Sequence, residues 1–253
     1  LLVSACMIVR NEGRFLERCL HSIKDVVDEI VIGDTGSTDD TVEIAREYGA
    51  RVEVVEWRGY VSAKNTAMDL ATGDWILSID ADEEVSPELR REIEMILAAE
   101  NADDGYRIPR RNYYLGKWIR HCGWYPDRQL RLWRKGRGRW QGGRGHESIR
   151  VDGSIGKTDA AINHYTYSTL GEHLERMSKY AGLHARDRFE AGRRTSTAAL
   201  FVAAPWAFFR LYFLRLGLLD GVHGLLVSAM GAFYALLKKS RLWELQQRTR
   251  PEK

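Results

Sequence analysis

The sequence EIVIGDTGSTDDT, residues 29–41, joins a short β-branched run to the start of a helix. Glu29–Ile32 is typical of a strand. The glycines and small polar residues that follow predict a turn, and then an N-cap for a helix over residues 41–48. Gly49 comes directly after that helix, where helices commonly stop. This order of strand, turn and helix predicts one βα unit of an α/β fold.

The same alternation continues over the first hundred residues, as expected of βαβ units around a parallel sheet. Further strands are predicted over residues 3–9, 51–56 and 75–79, and further helices over residues 12–23, 62–70 and 86–99. After residue 105 the helical periodicity is replaced by Tyr-, Trp- and Arg-rich stretches, which we interpret as irregular strands and loops. We therefore predict an α/β fold with a mostly parallel sheet flanked by helices.

Polar clusters follow three of the predicted strands, at residues 10–12, 34–40 and 80–84. Ligands of open α/β sheets bind beyond the carboxyl ends of the strands, so we expect a site there. Asp80 and Asp82 lie two residues apart, and their carboxylates suit Mg²⁺ or Mn²⁺ together with substrate phosphates. Acids before a helix more often cap it or interact with its dipole. The apolar strand directly before the pair favours a metal site.

The net charge of +3 over 253 residues conceals a strong segregation along the chain. Residues 1–105 hold 10 basic and 24 acidic side chains, residues 106–150 hold 13 and 2, and residues 184–253 hold 12 and 5. The basic segments predict anionic partners. Phosphorylated substrates, an anionic membrane surface and nucleic acid all fit this charge pattern.

The three cysteines form no pattern that indicates a disulfide framework or a zinc site, and the first residues show no signal peptide. We expect a cytoplasmic protein. Two apolar runs of twelve and seventeen residues, Ala198–Phe209 and Gly221–Leu237, are flanked by basic residues. Because a spanning helix needs roughly 20 apolar residues, we predict helices lying in a membrane interface, with a buried helical hairpin or an oligomer interface as alternatives.

Four ordered motifs resemble the family 2 glycosyltransferases of the GT-A fold: SACMIVRNE at residues 4–12, VIGDTGSTDDT at 31–41, AKN at 63–65 and DADE at 80–83. Three later motifs are similar to the lipopolysaccharide-core β-1,4-glucosyltransferase branch: GWYPDRQLRLW at residues 123–133, GHE at 145–147 and NHY at 163–165. With the apolar tail, the likeness extends over nearly the full chain. It divides the chain into a catalytic domain, residues 1–183, and a helical membrane-associating region, residues 184–253.

The resemblance implies a binding site for the nucleotide of a sugar donor, built from Asn11, Glu12, Asp34, Lys64 and Asp80. Asp34 would read the base, Asn11 and Glu12 would lie near the nucleoside, Lys64 would approach base or phosphate, and Asp80 would face the ribose or bind metal through water. As alternatives, Asp34 forms only a turn and Glu12 is only the first-turn acid of its helix.

The resemblance also implies a metal site and a catalytic base. Asp82 would ligate the metal and His164 would complete the site, although an isolated histidine is as often a core or capping residue. Inverting transfer needs a general base, which the family takes from a late acidic pair. Here that place reads His146-Glu147, so we expect Glu147 as base, and Asp127 second. Either acid could instead form a salt bridge that organises its loop.

A run of six basic residues could neutralise a diphosphate or a phosphorylated acceptor, or belong to a half-exposed strand: Arg128, Arg131, Arg134, Lys135, Arg137 and Arg139. The resemblance implies UDP-glucose as donor, a divalent metal, a glycan or glycolipid acceptor, and the inner face of the cytoplasmic membrane as a partner, without nucleic acid. Open alternatives are a polyprenyl-phosphate or peptide acceptor, a nucleotidyltransferase, and a non-enzymatic membrane-binding module.

Overall fold

The computed structural model of the protein describes residues 1–142 and 147–248. Its strands are β1 Val3–Val9, β2 Glu29–Asp34, β3 Arg51–Val54, β4 Trp75–Ser78, β5 Glu83–Val85, β6 Gly105–Tyr114, β7 Lys117–Trp118, β8 Asp127–Arg134, β9 Gly138–Gln141, β10 Ser148–Val151, β11 Ile155–Lys157 and β12 Ile162–Tyr167. Its helices are α1 Gly13–Ile23, α2 Thr41–Glu47, α3 Tyr60–Asp69, α4 Pro87–Ala98, α5 Leu170–Glu190, α6 Thr197–Phe209 and α7 Gly221–Arg248.

The chain forms two compact units. The first consists of residues 1–111 and 127–165, and the second of residues 112–126 and 166–253. Helix α5 runs without interruption across residue 183, where we expected a domain boundary. That boundary stays a prediction.

The main sheet has the strand order β3-β2-β1-β4-β8-β6-β12-β5. Strands β1 to β4 pair in parallel, as predicted, whereas β8 runs antiparallel to both β4 and β6. Strand β1 is almost wholly buried, because helices cover both faces of the parallel half of the sheet. The predicted α/β class is confirmed, and the carboxyl ends of β1, β2 and β4 meet at one edge.

Two details differ from the sequence prediction. The region after residue 105 contains regular strands, ten residues long in β6 and eight in β8, rather than irregular ones. Its periodicity is hidden because charged side chains of these strands are buried in ion pairs instead of facing water. Strand β5 was not predicted, because two of its three residues are acids, which strands usually avoid.

Helix α1 shows how the core fixes the first unit. Leu16, Cys19, Leu20 and Ile23 form its apolar face, and all four side chains are 0% exposed in the core cluster. Burying each large aliphatic side chain stabilises the fold by about 1.5–3 kcal/mol. This packing holds α1 beside strand β5 and its acids.

The second unit is mainly helical. Helix α6 continues through a π-helical turn, Arg210–Leu214, and a 3₁₀ turn, Gly217–Asp220, leads into α7. Two helical segments, Thr197–Leu214 and Gly217–Arg248, are long and apolar enough to cross a membrane by length and composition alone. They exceed the apolar runs seen in the sequence because the helices continue through charged residues.

Candidate active site

Asp34 lies at the carboxyl end of β2 and is 5% exposed. Its carboxylate accepts hydrogen bonds from the backbone N–H groups of Gly36 and Ser37, both at 3.1 Å, and from Ser37 Oγ at 2.6 Å. This geometry is that of an Asx-type turn. The base-reading role of Asp34 stays a prediction, and its carboxylate also shapes the loop on which a nucleoside would rest.

The first two polar clusters come together as predicted. Asn11 adopts a left-handed backbone with φ of 56°, and its Oδ1 accepts the Thr38 N–H at 2.7 Å. The backbone N–H of Glu12 donates to Thr41 Oγ1 at 2.8 Å. The loop after β1 is therefore fastened to the loop after β2 and to the first turn of α2.

Asp80 is bound by two cations. Lys64 Nζ lies 2.7 Å from its Oδ1, and Arg131 Nη2 lies 2.5 Å from its Oδ2. Burial acts to raise the pKa of Asp80, but the charges of Arg131 and Lys64 outweigh it and hold this pKa well below its usual range. Lys64 also lies 4.4 Å above the ring of Trp140. Both carboxylate oxygens of Asp80 are thus engaged by protein.

Glu83 is a site residue that the sequence reasoning missed. Its side chain is 0% exposed, and Oε1 accepts from Arg131 at 2.5 Å and from Arg110 at 3.3 Å. Its second oxygen accepts the Asp80 N–H at 3.0 Å. The sequence offered one signal, an acid directly after Asp82 in a chain with many arginines further on. Only the pairing of strands in the sheet brings this acid and those arginines together.

The run of six basic residues divides between several environments. Arg131 is 4% exposed and faces the acids of the site. Arg128 and Lys135 donate to the carbonyls of Thr158 and Ala71, and Arg134 lies over the Trp75 ring. Two side chains, Arg137 and Arg139, are 59% exposed.

The two candidate bases differ in their surroundings. Asp127 Oδ2 accepts from Arg110 Nη2 at 2.5 Å and from Nε at 2.9 Å, and its Oδ1 accepts from Gln129 at 2.7 Å. Glu147 is partly exposed and lies directly before β10. Gly145 and His146, the other two residues of the predicted motif, lie outside the described residues. The role of catalytic base, first for Glu147 and second for Asp127, stays a prediction.

Asp82 and His164 lie side by side, because β5 pairs with β12. His164 Nε2 is 3.4 Å from Asp82 Oδ2, with the two side chains 13% and 17% exposed. The Tyr165 N–H donates to the Asp82 carbonyl at 2.9 Å and fixes this register. Within residues 1–142 and 147–248, no group of three or more His, Cys, Asp or Glu side chains could hold a metal.

The comparison with known proteins decides the family. The family model described as glycosyl transferase family 2 matches residues 4–151, more than half of the chain. The chain belongs to glycosyl transferase family 2. The predicted family resemblance and the GT-A type α/β fold are confirmed, and the three strand-end clusters of this glycosyltransferase all lie within the matched residues.

Relatives extend the likeness over almost the whole glycosyltransferase. It is 34% identical to an uncharacterized glycosyltransferase of Rickettsia felis over 96% of this chain and 89% of the relative. It is 33% identical to the lipopolysaccharide core biosynthesis glycosyltransferase LpsC of Rhizobium meliloti over 96% of this chain and 92% of the relative. Among solved structures, S. aureus TarS 1–349 in complex with UDP-GlcNAc is 13% identical, with 100% and 93% of the two chains covered and a TM-score of 0.49.

Proposed function

We propose that this family 2 glycosyltransferase transfers a hexose, glucose from UDP-glucose, to a sugar of a lipopolysaccharide core, with inversion at the anomeric carbon. The observation that supports this most is the pairing of Asp82 with His164. Asp82 is one residue from the buried Glu83 and two residues from Asp80, which Lys64 and Arg131 bind. The Rhizobium meliloti relative, a lipopolysaccharide core biosynthesis glycosyltransferase, supports the acceptor class.

The donor set at this place fits a divalent cation. Asp82 offers a carboxylate and His164 an imidazole, and Mg²⁺ or Mn²⁺ commonly takes one or two protein ligands with the remaining positions filled by substrate phosphate and water. Both oxygens of Asp80 already accept from Lys64 and Arg131, so Asp80 is the weaker candidate for direct ligation. A cation held by Asp82 and His164 would stabilise the charge that develops on the departing diphosphate.

The chain's own residues perform the remaining steps. An acceptor hydroxyl attacks the anomeric carbon from the face opposite the nucleoside diphosphate, a carbon–oxygen bond forms, and the bond to the diphosphate breaks. The hydroxyl proton passes to a carboxylate, which we assign to Glu147. Asp127 is the second candidate, and Arg110 and Gln129 contact both of its oxygens and stabilise its charged form.

The loops after β1 and β2 hold the nucleotide in this proposal. Asn11, Glu12 and Asp34 would line the nucleoside, with Lys64 close to the base or phosphate.

The two predicted domains have separate roles in this proposal: residues 1–183 carry the reaction, and residues 184–253 associate with the inner face of the cytoplasmic membrane. The apolar surface of α6, whose helical segment is only 11% buried, supports that association.

A panel of nucleotide sugars tests the proposal. The purified chain is incubated with each sugar, with Mg²⁺, Mn²⁺ or a chelator, and with core oligosaccharide, polyprenyl phosphate or peptide as acceptor. We expect release of UDP from UDP-glucose, dependent on metal, and a glucosylated core oligosaccharide. Pyrophosphate as the product would instead indicate a nucleotidyltransferase. Transfer to polyprenyl phosphate or peptide, but not to core oligosaccharide, would show that the acceptor is not a core sugar.

Two variants locate the site in the same assay. Asp82→Ala should abolish transfer with the fold retained, because the diphosphate charge then loses its counter-charge. Asp152→Asn is the matched control, since this acid is 75% exposed and pairs only at the surface with Arg150. Full activity of Asp82→Ala would overturn the metal assignment.

A further inference from the structure

Helix α6 and the π-helical turn after it carry one continuous exposed stripe. The large exposed side chains, spaced mostly three or four residues apart, are Phe201, Val202, Trp206, Phe209, Phe213 and Leu214. Ala203 and Ala207 on the opposite face are 8% and 6% exposed, and α6 packs against α7. Small residues therefore face protein, and large aromatic residues face outward. The charged side chain within the stripe is Arg210.

The second unit has a gradient of polarity across its three helices. Helix α7 packs against both α6 and α5. Arg241 of α7 donates to Ser178 of α5 at 3.1 Å, which places α5 along the second half of α7. The outward face of α5 is charged, with exposed Glu175, Arg176 and Lys179. This charged helix lies beside the basic second half of α7, so it belongs on the water side of any membrane that the apolar helices contact.

The turn between α6 and α7 is fastened to a polar segment of the same unit. Asp220 is 3% exposed and accepts the His121 N–H at 2.9 Å, while Lys117 Nζ donates to its carbonyl at 3.0 Å. Cys122 of the same segment lies 3.6 Å from Ser228 in the first half of α7. A spanning hairpin would therefore have to carry Lys117 and His121 to the far side of the membrane.

We infer that the α6–α7 hairpin lies flat in one leaflet of an anionic bilayer, with the α6 stripe among the acyl chains and α5 on the water side. This rests on the proposed membrane association and adds its geometry: the two helices do not span. An anionic lipid surface is the occupant that the charge favours, because residues 184–253 hold 12 basic and 5 acidic side chains. Arg210 within the stripe and Arg215 directly after it are exposed and can reach lipid phosphates.

Vesicle flotation tests the surface. The full chain should float with vesicles of phosphatidylcholine and phosphatidylglycerol, and less with phosphatidylcholine alone. The double variant Trp206→Ser, Phe209→Ser should lower the partition coefficient roughly tenfold or more, since it removes two aromatic anchors. Met95→Ser on α4 is the matched control, because Met95 is 65% exposed but belongs to the first unit. Equal flotation of the double variant overturns the inference.

Spin labels measure the orientation. All three native cysteines are buried, so single labels can be placed at Phe201→Cys and Phe213→Cys. These positions are separated along the helix by about 18 Å at 1.5 Å per residue. A flat helix gives equal immersion depths in electron paramagnetic resonance, whereas a spanning helix gives depths that differ by most of that length. Unequal depths overturn the inference.

The outcomes separate this inference from the proposed function. Transfer to a soluble acceptor should be unchanged in the Trp206→Ser, Phe209→Ser variant, because these residues lie outside the catalytic unit. Absence of flotation together with full transfer, or a stable dimer that buries the stripe in solution, overturns the inference and the membrane association on which it rests, and leaves the proposed glycosyl transfer standing. Flotation with equal label depths but without transfer overturns the proposed function alone.

Discussion

Glu83 Oε1 and Arg131 Nη2 are 2.5 Å apart, in an ion pair whose side chains are 0% and 4% exposed. The same guanidinium reaches Asp80, and the same carboxylate reaches Arg110, which in turn binds Asp127. A chain of alternating charges therefore connects the donor side of the proposed site with one candidate base. Such a network stabilises the fold only while all its members are present.

Arg131→Met should be strongly destabilising. The substitution leaves Glu83 buried with one remaining, longer contact to Arg110, and removes one of the two cations that bind Asp80. Loss of one partner from a buried pair costs about 3–5 kcal/mol of unfolding free energy. Urea denaturation at neutral pH measures this change. Arg139→Met is the control, since Arg139 and Asp69 form a pair more than half exposed, and such pairs contribute below about 1 kcal/mol. Equal effects of both variants would contradict the network.

His173 makes stability depend on pH. Burial, and then the charge of Arg176, lower the pKa of this histidine from 6.5 to about 4. The unfolded chain therefore binds a proton at His173 below about pH 6.5, whereas the folded chain binds it only below about pH 4. The unfolding free energy should fall as pH falls through this window, by about 3 kcal/mol in total from this group.

The His173→Gln variant isolates that contribution. Denaturant titrations between neutral and mildly acidic pH should show a shallower loss of stability in the variant than in the native chain. His21→Gln, at an exposed position on α1, should keep the native slope. Parallel curves for native and His173→Gln proteins would show that His173 titrates normally.

Glu147→Gln should lower kcat by about 10²–10⁴-fold, the usual contribution of a general base, with little change in the KM for the donor. Asp127→Asn should act mainly through Arg110, and should lower stability while changing kcat much less. If Asp127→Asn lowers kcat by the larger factor and Glu147→Gln does not, the two assignments must be exchanged.

Asn65→Ala should loosen the β9–β10 hairpin that leads to Glu147. The Asn65 side chain donates to the Trp140 carbonyl at 3.0 Å and accepts the Trp140 N–H at 3.1 Å. Losing two such bonds should cost about 1–3 kcal/mol and speed amide exchange in β9 and β10. Thr66→Ala is the control, because that hydroxyl bonds only within its own helix, to Ser62. Unchanged exchange in β9 would show that the hairpin is held by other contacts.

Much of the first unit follows from local pattern. Strand β1 was predicted with its observed bounds, and α1 and α4 within one residue at each end, because apolar periodicity and caps such as Ser86 act over neighbouring residues. The polar clusters were correctly placed at strand ends for the same reason. Strand β5 escaped prediction, since its buried acid Glu83 is stabilised by arginines more than 25 residues away.

The sequence by itself determined the α/β class, the family and the positions of Asp34, Asp80 and Asp82, because these depend on period, turn chemistry and ordered motifs. Tertiary structure alone decided which charges meet. Pairing of β4 with β8 brings Arg131 to Asp80 and Glu83, and pairing of β5 with β12 brings His164 to Asp82. Register between strands far apart in the chain sets these contacts, and no local pattern encodes it.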